Sequence, residues 1–501
     1  MAGSVVIIGA GLGGLECGLI LARHGYRVTV LERHSRIGGC LQTYSRGGLS
    51  FDTGFHYVGG LDEGQSLRPL FDYFGLMDLP WTRLDPECFD EVVIGGKSYP
   101  FACGHERFAD TLAEYFPGQR QNLHRYADFL KSVGDNILAP FRPGTQGINE
   151  LFSRNAKEFL DETISDPLLR KVLSGTSLKM ELRAESLPLY VFAQSNNSYI
   201  QSAWRLPGGG GLIADSLASG IRAMGGEVRT GARVTAVHCA SESDSGAAQT
   251  DRVTTVETAD GELIAADWVI SDIHPALTLD LVGPTRALRR IYRSRIGALS
   301  NTGGMFTASL ALKKDTVEYL NRNVYVHSAD ADLWNPSGDR TESVLVHFYP
   351  GEGRFASRMD LLSPMSFAPL ERWKDLPAGR RGEEYKEVKL RKLEECMRLV
   401  SERFPQLSGA VEKVYTSTPL TWLSYVSSPE GSAYGLRKDC GNVLGTVLSP
   451  RSPLPNLLFT GQSVNLHGVL GVSMTAVMTC SQLPGMEDLP QEIFGKIPIF
   501  A

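Results

Sequence analysis

An α/β fold opened by a parallel sheet is what this sequence predicts, and three observations predict it. Residues Val5-Val6-Ile7-Ile8 form an unbroken apolar run, the mark of a short strand buried on both faces. That run leads into Gly9-x-Gly11-x-x-Gly14 and a helical segment from Leu15 to Arg23, with Gly25 at its C-terminal stop. Tyr26 to Leu31 then alternates as a second strand and ends on Glu32, about twenty residues beyond the glycines.

Each part of this βαβ unit has a physical job. Gly9 permits the tight turn, and Gly14 lets helix and strand pack closely. Gly11 lets a pyrophosphate approach the backbone at the helix N-terminus, where free N–H groups and the helix dipole favour an anion. Glu32 can accept hydrogen bonds from the ribose hydroxyls of an adenosine. The pattern is that of a Rossmann-type dinucleotide site, and taken alone it fits NAD or FAD. Glu32 disfavours NADP, because its charge repels a 2′-phosphate.

The next segments narrow the choice. Arg33 to Gly39 reads Arg-His-Ser-Arg-Ile-Gly-Gly, and Phe51-Asp52-Thr53-Gly54-Phe55-His56 follows. With Glu32 they resemble the FAD-binding N-terminus shared by amine oxidases, phytoene desaturases and retinol saturases. The resemblance implies FAD and a glutathione reductase-like domain of amine oxidase topology. It places Arg33, Arg36, Gly38 and Gly39 beside the pyrophosphate and ribityl chain. Many members carry Arg straight after the two glycines, where this chain has Cys40.

The far end of the chain agrees. Leu457 to Thr460 reads as a short strand, Gly461-Gln462 follows, Ser463 to Gly468 is a polar loop, and a helix starts near Gly471-Val472. This resembles the family's C-terminal flavin segment, in which a Gly-acid pair meets the ribityl chain and a helix N-terminus faces the flavin ring. Gln462 stands where amine oxidases carry the acid, and Thr460-Gly461-Gln462 resembles the retinol saturase and carotenoid isomerase branch.

Between these ends, Arg205 to Gly211 resembles the family's Pro-x-Gly-Gly turn and opens a helix at Leu212 to Met224. Val234 matches the position whose backbone pairs with adenine, and Ala266 to Asp272 resembles the strand that returns to the flavin domain. Arg380-Arg381-Gly382 and Ser428 to Gly435 resemble the carotenoid and retinoid branch again. Ser241 to Asp251 reads as a polar hairpin tip. Leu390, Leu393, Met397, Val400 and Phe404 fall at helical spacing and predict a core-facing stripe. The expected organisation is a discontinuous FAD-binding domain over 1–70, 205–290 and 440–485. A discontinuous α+β substrate domain with helical lid segments fills 71–204 and 291–439.

Composition excludes several classes. At 501 residues and 42% hydrophobic content the chain has ample core for more than one domain. A net charge of −6 without a basic run argues against nucleic acid. The eight cysteines are scattered with no Cys-x-x-Cys, so neither a disulfide framework nor a metal site is expected. The Met-Ala-Gly-Ser start runs straight into the first strand, and no apolar run reaches about eighteen residues, so neither a signal peptide nor a transmembrane helix is expected. A cytoplasmic protein is the expectation, with peripheral membrane contact left open by the family's lipid-like substrates. The oligomeric state is not legible.

A flavin transfers a hydride at N5, so the protein must place a substrate carbon over the ring and exclude water. A polyene needs a long apolar tunnel, which the aromatic-rich stretches 51–57, 71–74 and 190–199 could line. Proton transfer calls for an acid or base, and His56, His467 and Tyr434 are the candidates. The expected activity is FAD-dependent saturation or desaturation of carbon–carbon bonds in an apolar isoprenoid such as a retinoid or carotenoid. An amine oxidase-like flavoenzyme and a flavin-containing lipid carrier are the competing readings. The FAD is expected to be non-covalent. No second nucleotide motif exists, so any NAD(P)H would dock transiently as electron donor.

Overall fold

Five parallel strands hold the N-terminal glycine turn. In spatial order they are Glu227–Arg229, Arg27–Leu31, Ser4–Ile8, Trp268–Ser271 and Leu457–Phe459. The structure is a computed structural model and describes residues 3–137, 146–242, 250–336 and 340–495. Ile8 lies beside Leu31 on one side and Ser271 on the other, so three strands end at one level. Val5 and Ile7 point to a face covered by helices Leu12–Arg23, Gly211–Ala223 and Gly468–Cys480. Val6 and Ile8 point to the opposite face, covered by the antiparallel strands Val234–Glu242, Thr250–Thr258 and Leu263–Ala265. Burial on both faces is why the first strand has no polar alternation. The tip of that antiparallel hairpin, expected over 241–251, lies mostly outside the described residues.

The first helix begins at Leu12, one turn before the periodicity suggests, because Gly11 is its N-cap and Gly13 and Gly14 sit inside its first turn. Helical periodicity cannot register glycines that have no side chain to bury.

A seven-stranded sheet forms the second unit, in the order Val411–Ser417, Gly304–Leu312, Ala356–Met365, Ser343–Pro350, Asn323–His327, Asp90–Ile94 and Lys97–Phe101. One pair, Asn323–His327 with Asp90–Ile94, is parallel; the other neighbours are antiparallel. One face packs on helix Gly382–Ser401. The other carries a helical layer that includes Arg120–Asp135 and Leu189–Gln201. A small sheet joins the units, where Ala203–Arg205 pairs with both Val58–Gly59 and Thr82–Arg83.

The expected stripe on helix Gly382–Ser401 needs a correction. Leu390 is 53% exposed, and the buried line runs through Tyr385, Lys392, Cys396, Leu399 and Val400. Leu393 and Met397 pack against the core as expected, and Lys392 is buried on the same helix, its Nζ included. Phe404, just beyond the helix, is buried as expected.

The first turn brings backbone against backbone. A Cβ on Gly14 would sit 2.2 Å from the Gly9 carbonyl oxygen. Gly14→Ala is therefore expected to push helix and strand apart at a cost of about 1–3 kcal/mol, the range for overpacking a close contact. Thermal unfolding followed by tryptophan fluorescence should show an earlier transition; an unchanged melting curve would show that the turn tolerates a methyl group.

Candidate functional site

The sheet brings distant glycines to one point. Gly9 has φ +100° and Gly461 φ +88°, both in the left-handed region. The Arg36–Gly39 turn lies on the glycine turn: the Gly38 N–H donates to the Ala10 carbonyl at 2.7 Å, and a Cβ on Gly39 would sit 3.4 Å from Gly11 Cα. Glu32 is buried beside them, accepting hydrogen bonds from the N–H groups of Ala10 at 3.1 Å and His34 at 2.9 Å. The Glu32 carbonyl accepts from Ala232, which brings the start of the Val234 strand alongside. Arg33 donates to the Ser424 carbonyl and Arg36 to that of Thr43, so each guanidinium is anchored at the rim. Gln462 follows Gly461 in the loop, and Gly471 and Val472 lie buried in the first turn of the C-terminal helix. The two ends of the chain therefore meet at a cradle of bare backbone, the surface a dinucleotide pyrophosphate needs.

One side chain that the sequence reading left unassigned enters this cradle. Asp272, at the end of strand Trp268–Ser271, directs its carboxylate at the N–H groups of Gly14 and Gly11. A Cβ on Gly11 or on Gly461 would meet an Asp272 carboxylate oxygen at 2.4 Å. Burial, with Glu32 nearby, pushes Asp272 up to about 7 despite those N–H groups. The cradle thus fits an anion, with the condition that Asp272 be protonated or turned aside. Glu16, fully buried on the first helix, accepts from Ser473 and is pushed well above the usual carboxylate range by burial. It joins the first helix to the C-terminal one as a neutral acid.

Asp52 marks the second part of the site. Its carboxylate accepts from the Gly210 N–H at 3.0 Å, which pins the Pro207–Gly211 turn to the Phe51–Gly54 segment. The Tyr349 hydroxyl lies 3.2 Å from Asp52 and 2.7 Å from Asp360, so one proton stands between two buried carboxylates. Burial raises Asp52 to about 7 and Asp360 to about 6. His56 lies 3.9 Å from Asp360 and packs edge-on against His347. Burial, with Arg205 nearby, lowers His56 to about 4, so its ring is neutral. Its Nε2 has no hydrogen-bond partner in the protein, and neither do Asp360 Oδ1 and Arg205 Nε. Such a group of orphaned buried atoms calls for water or a ligand.

A partly open cleft of about 780 Å³, mouth included, separates Val58–Gly59 from the N-terminus of helix Gly468–Cys480. Apolar groups dominate its wall, among them Leu67, Val191, Leu466, Val469, Leu470 and Met474. His467 caps the helix, and its Nε2 lies 3.2 Å from the Lys179 carbonyl. Burial lowers His467 to about 4, so a neutral Nε2–H donates there. The Tyr434 ring packs at a tilt against His467, centroids 4.8 Å apart, and its hydroxyl donates to the Leu178 carbonyl at 2.6 Å. Both proton-transfer candidates thus brace the Leu178–Lys179 backbone.

Lys179 itself went unnoticed in the sequence. Its side chain is 4% exposed, lines the cleft, and pairs with Asp90 at 2.7 Å. Lys438 was missed too: its buried Nζ donates to the carbonyls of Thr446, Ser463 and Val464 and fixes the loop after Gln462. No spacing motif carries either lysine. The one available signal for Lys179 is a lone cation flanked by Leu178 and Met180.

A parallel sheet with bare glycine turns at its carboxyl ends, an acid at the second strand and a helix N-terminus across a cleft define a flavin-binding oxidoreductase. The chain belongs to the flavin containing amine oxidoreductase family, whose model matches residues 12–482. Over 96% of its length it is 28% identical to the human all-trans-retinol 13,14-reductase, covering 85% of that protein. It is 29% identical to the rat all-trans-retinol 13,14-reductase over 95% of this chain and 85% of the relative. An oxidoreductase from Methanosarcina mazei shares the fold, with TM-score 0.62 and 18% identity over 94% of this chain and 98% of that one. Among the described residues, no helix is long and apolar enough to cross a membrane, and no cluster of acids, histidines and cysteines is arranged to hold a metal ion.

The buried acids make a pH prediction for the cofactor-free protein. Asp52, Asp272 and Asp360 bind protons more tightly folded, at about 6–7, than unfolded, at about 3.9. Their contribution to stability is therefore complete below about pH 4 and is lost as pH rises through about 7. The buried neutral histidines His56, His327 and His467 act in the opposite sense over the same range, so the acid is read by comparison: on going from pH 5.5 to pH 8, Asp272→Asn should lose less, or gain more, in denaturant midpoint than the wild type. An equal difference in the variant would mean that Asp272 is ionised throughout.

Proposed function

We propose that this chain is an FAD-dependent oxidoreductase that adds or removes hydrogen across a carbon–carbon bond of an apolar isoprenoid, of the retinoid or carotenoid kind. The cleft carries the reading. Among the described residues no carboxylate lines it, and its one charged side chain is the Lys179 ammonium. A protonated amine would meet a like charge there. The rings that could cage such an amine, Tyr57, Phe89, Tyr199 and Tyr325, already surround Lys179 Nζ within 4.2–5.7 Å. An uncharged alkene meets no such penalty. The identity to retinol 13,14-reductases supports the same choice over the amine oxidase alternative.

FAD, when bound, supplies hydride transfer. Gly9, Gly11, Gly14, Gly38, Gly39 and Gly461 would receive its pyrophosphate and ribityl chain. Glu32 would receive the ribose, Val234 the adenine, and Gln462 a ribityl hydroxyl. Arg33 and Arg36 would stand at the rim, while Gly471 and Val472 would present the helix N-terminus to the ring. Non-covalent binding is supported by Cys40, whose thiol is pushed up to about 12 by burial and so resists becoming a nucleophilic thiolate. His56 would hold a neutral ring at the junction of the two units, and His467 and Tyr434 would shape the cleft floor. With no second nucleotide motif, any nicotinamide nucleotide would dock transiently as electron donor. A cytoplasmic location with peripheral membrane contact suits a substrate drawn from lipid.

Two measurements test the cofactor reading. Acid precipitation should release yellow flavin into the supernatant; colour retained in the pellet would mean a covalent bond. Glu32→Lys replaces an acceptor with donors and should weaken FAD binding roughly tenfold or more, the worth of one charged hydrogen bond of about 1.5–3 kcal/mol. Unchanged flavin occupancy after dialysis would remove Glu32 from the ribose.

The reaction is tested anaerobically. Dithionite-reduced protein should be reoxidised by a retinoid or an enone, with the saturated product found by mass spectrometry. Indifference to every alkene together with rapid flavin reduction by a primary amine would establish the amine oxidase alternative.

A further inference from the structure

We propose that Lys179, a residue of the cleft wall, is the proton donor in alkene reduction, with Asp90 serving as its fixed counter-ion; this rests on the reading of the reaction above. The geometry points to it. Among the described residues Lys179 is the one cation that lines the cleft, and it sits opposite the N-terminus of helix Gly468–Cys480. Tyr434 and His467 hold the backbone on which it stands, through the carbonyls of Leu178 and Lys179.

The counter-ion is over-determined. Asp90 accepts from Tyr57 at 2.8 Å and Asn323 at 3.1 Å as well as pairing with Lys179. Tyr57 in turn meets Tyr325 at 2.7 Å, and Asn323 accepts from His347 Nδ1 at 2.8 Å. Asp90 is therefore held in place as an acceptor facing the lysine. Burial lowers the Lys179 pKa and Asp90 opposes that fall, which brings the ammonium closer to a useful acid strength than a surface lysine. The rival donors are less suited: His56 and His467 are neutral rings lowered to about 4, and burial raises the Tyr434 phenol.

The step balances. One C=C π bond breaks and two C–H bonds form. A reduced flavin, as the two-electron donor, accounts for one hydrogen with its electron pair. Lys179 Nζ accounts for the other as a proton, is left as the neutral amine, and regains a proton from solvent at the cleft mouth before the next turnover.

The test uses the full-length flavin-loaded protein and Lys179→Gln, which keeps a donor toward Asp90 so that the carboxylate is not stranded. Flavin occupancy and melting temperature report that the variant folds; where it does not, Lys179→Arg takes its place. In the wild type, reoxidation of reduced protein by an enone should slow at high pH with an apparent pKa below that of a free lysine. In the variant the rate should fall about 100-fold or more, the scale of general-acid catalysis. The alkaline limb should vanish, and reoxidation by oxygen should be unchanged. Acetic anhydride labelling of Nζ, read by peptide mass, should be blocked by saturating retinol at Lys179 and unaffected at the exposed Lys386. A wild type that reduces the enone beside a variant within threefold of it overturns the proposal alone, as does labelling indifferent to retinol. A wild type that reduces no alkene overturns the reading of the reaction and the proposal with it.

Discussion

A steric constraint at the first turn organises this protein. Gly14 can have no Cβ because the Gly9 carbonyl occupies the space, and Gly13 can have none because Gly461 and Asp272 press against it. Where no side chain fits, main chain meets main chain. The turn after the first strand therefore touches residues from the Gly38–Gly39 turn, the end of strand Trp268–Ser271 and the segment after Leu457–Phe459. Segments more than four hundred residues apart converge because one surface is left bare for them.

The second organising feature is the burial of charge between the units. Asp90, Lys179, Asp52, Asp360, His56, His347 and Arg205 are all buried where the seven-stranded sheet meets the flavin-binding unit. Burying so many ionisable groups is costly unless each is paired, neutral or facing a ligand. The structure uses all three solutions. Lys179 and Asp90 pair; the histidines lose their charge; and buried atoms of His56, Asp360 and Arg205 are left without a hydrogen-bond partner in the protein. These residues do little that an apolar core would not do better for stability, and of them Lys179 reaches the cleft wall.

Much of the glycine-lined cradle was legible because its geometry is local. A strand, a turn that needs glycine, a helix and an acid at the next strand lie within one short stretch, and each leaves a residue-level trace in order. Gly461-Gln462 was legible for the same reason, as a strand, a turn and a helix in sequence. The stripe on helix Gly382–Ser401 failed at Leu390 because periodicity gives a face but not the rotation at which that face docks. Lys392 is buried on that helix, its Nζ included, a choice that hydropathy alone does not favour.

The cleft and its proton chemistry were beyond reach for a different reason. His56, His467 and Tyr434 carry chemistry by type, so the chain order singled them out, yet what each one faces depends on residues more than a hundred positions away. Asp272 and Lys179 sit in no motif, and their roles arise from what they face: a helix N-terminus in one case, an aromatic-walled cleft in the other. Local backbone geometry is written in neighbouring residues, so the chain alone settles the fold class and the dinucleotide turn. Burial and the partner across space set charge state, and those exist only once the strands and helices have packed.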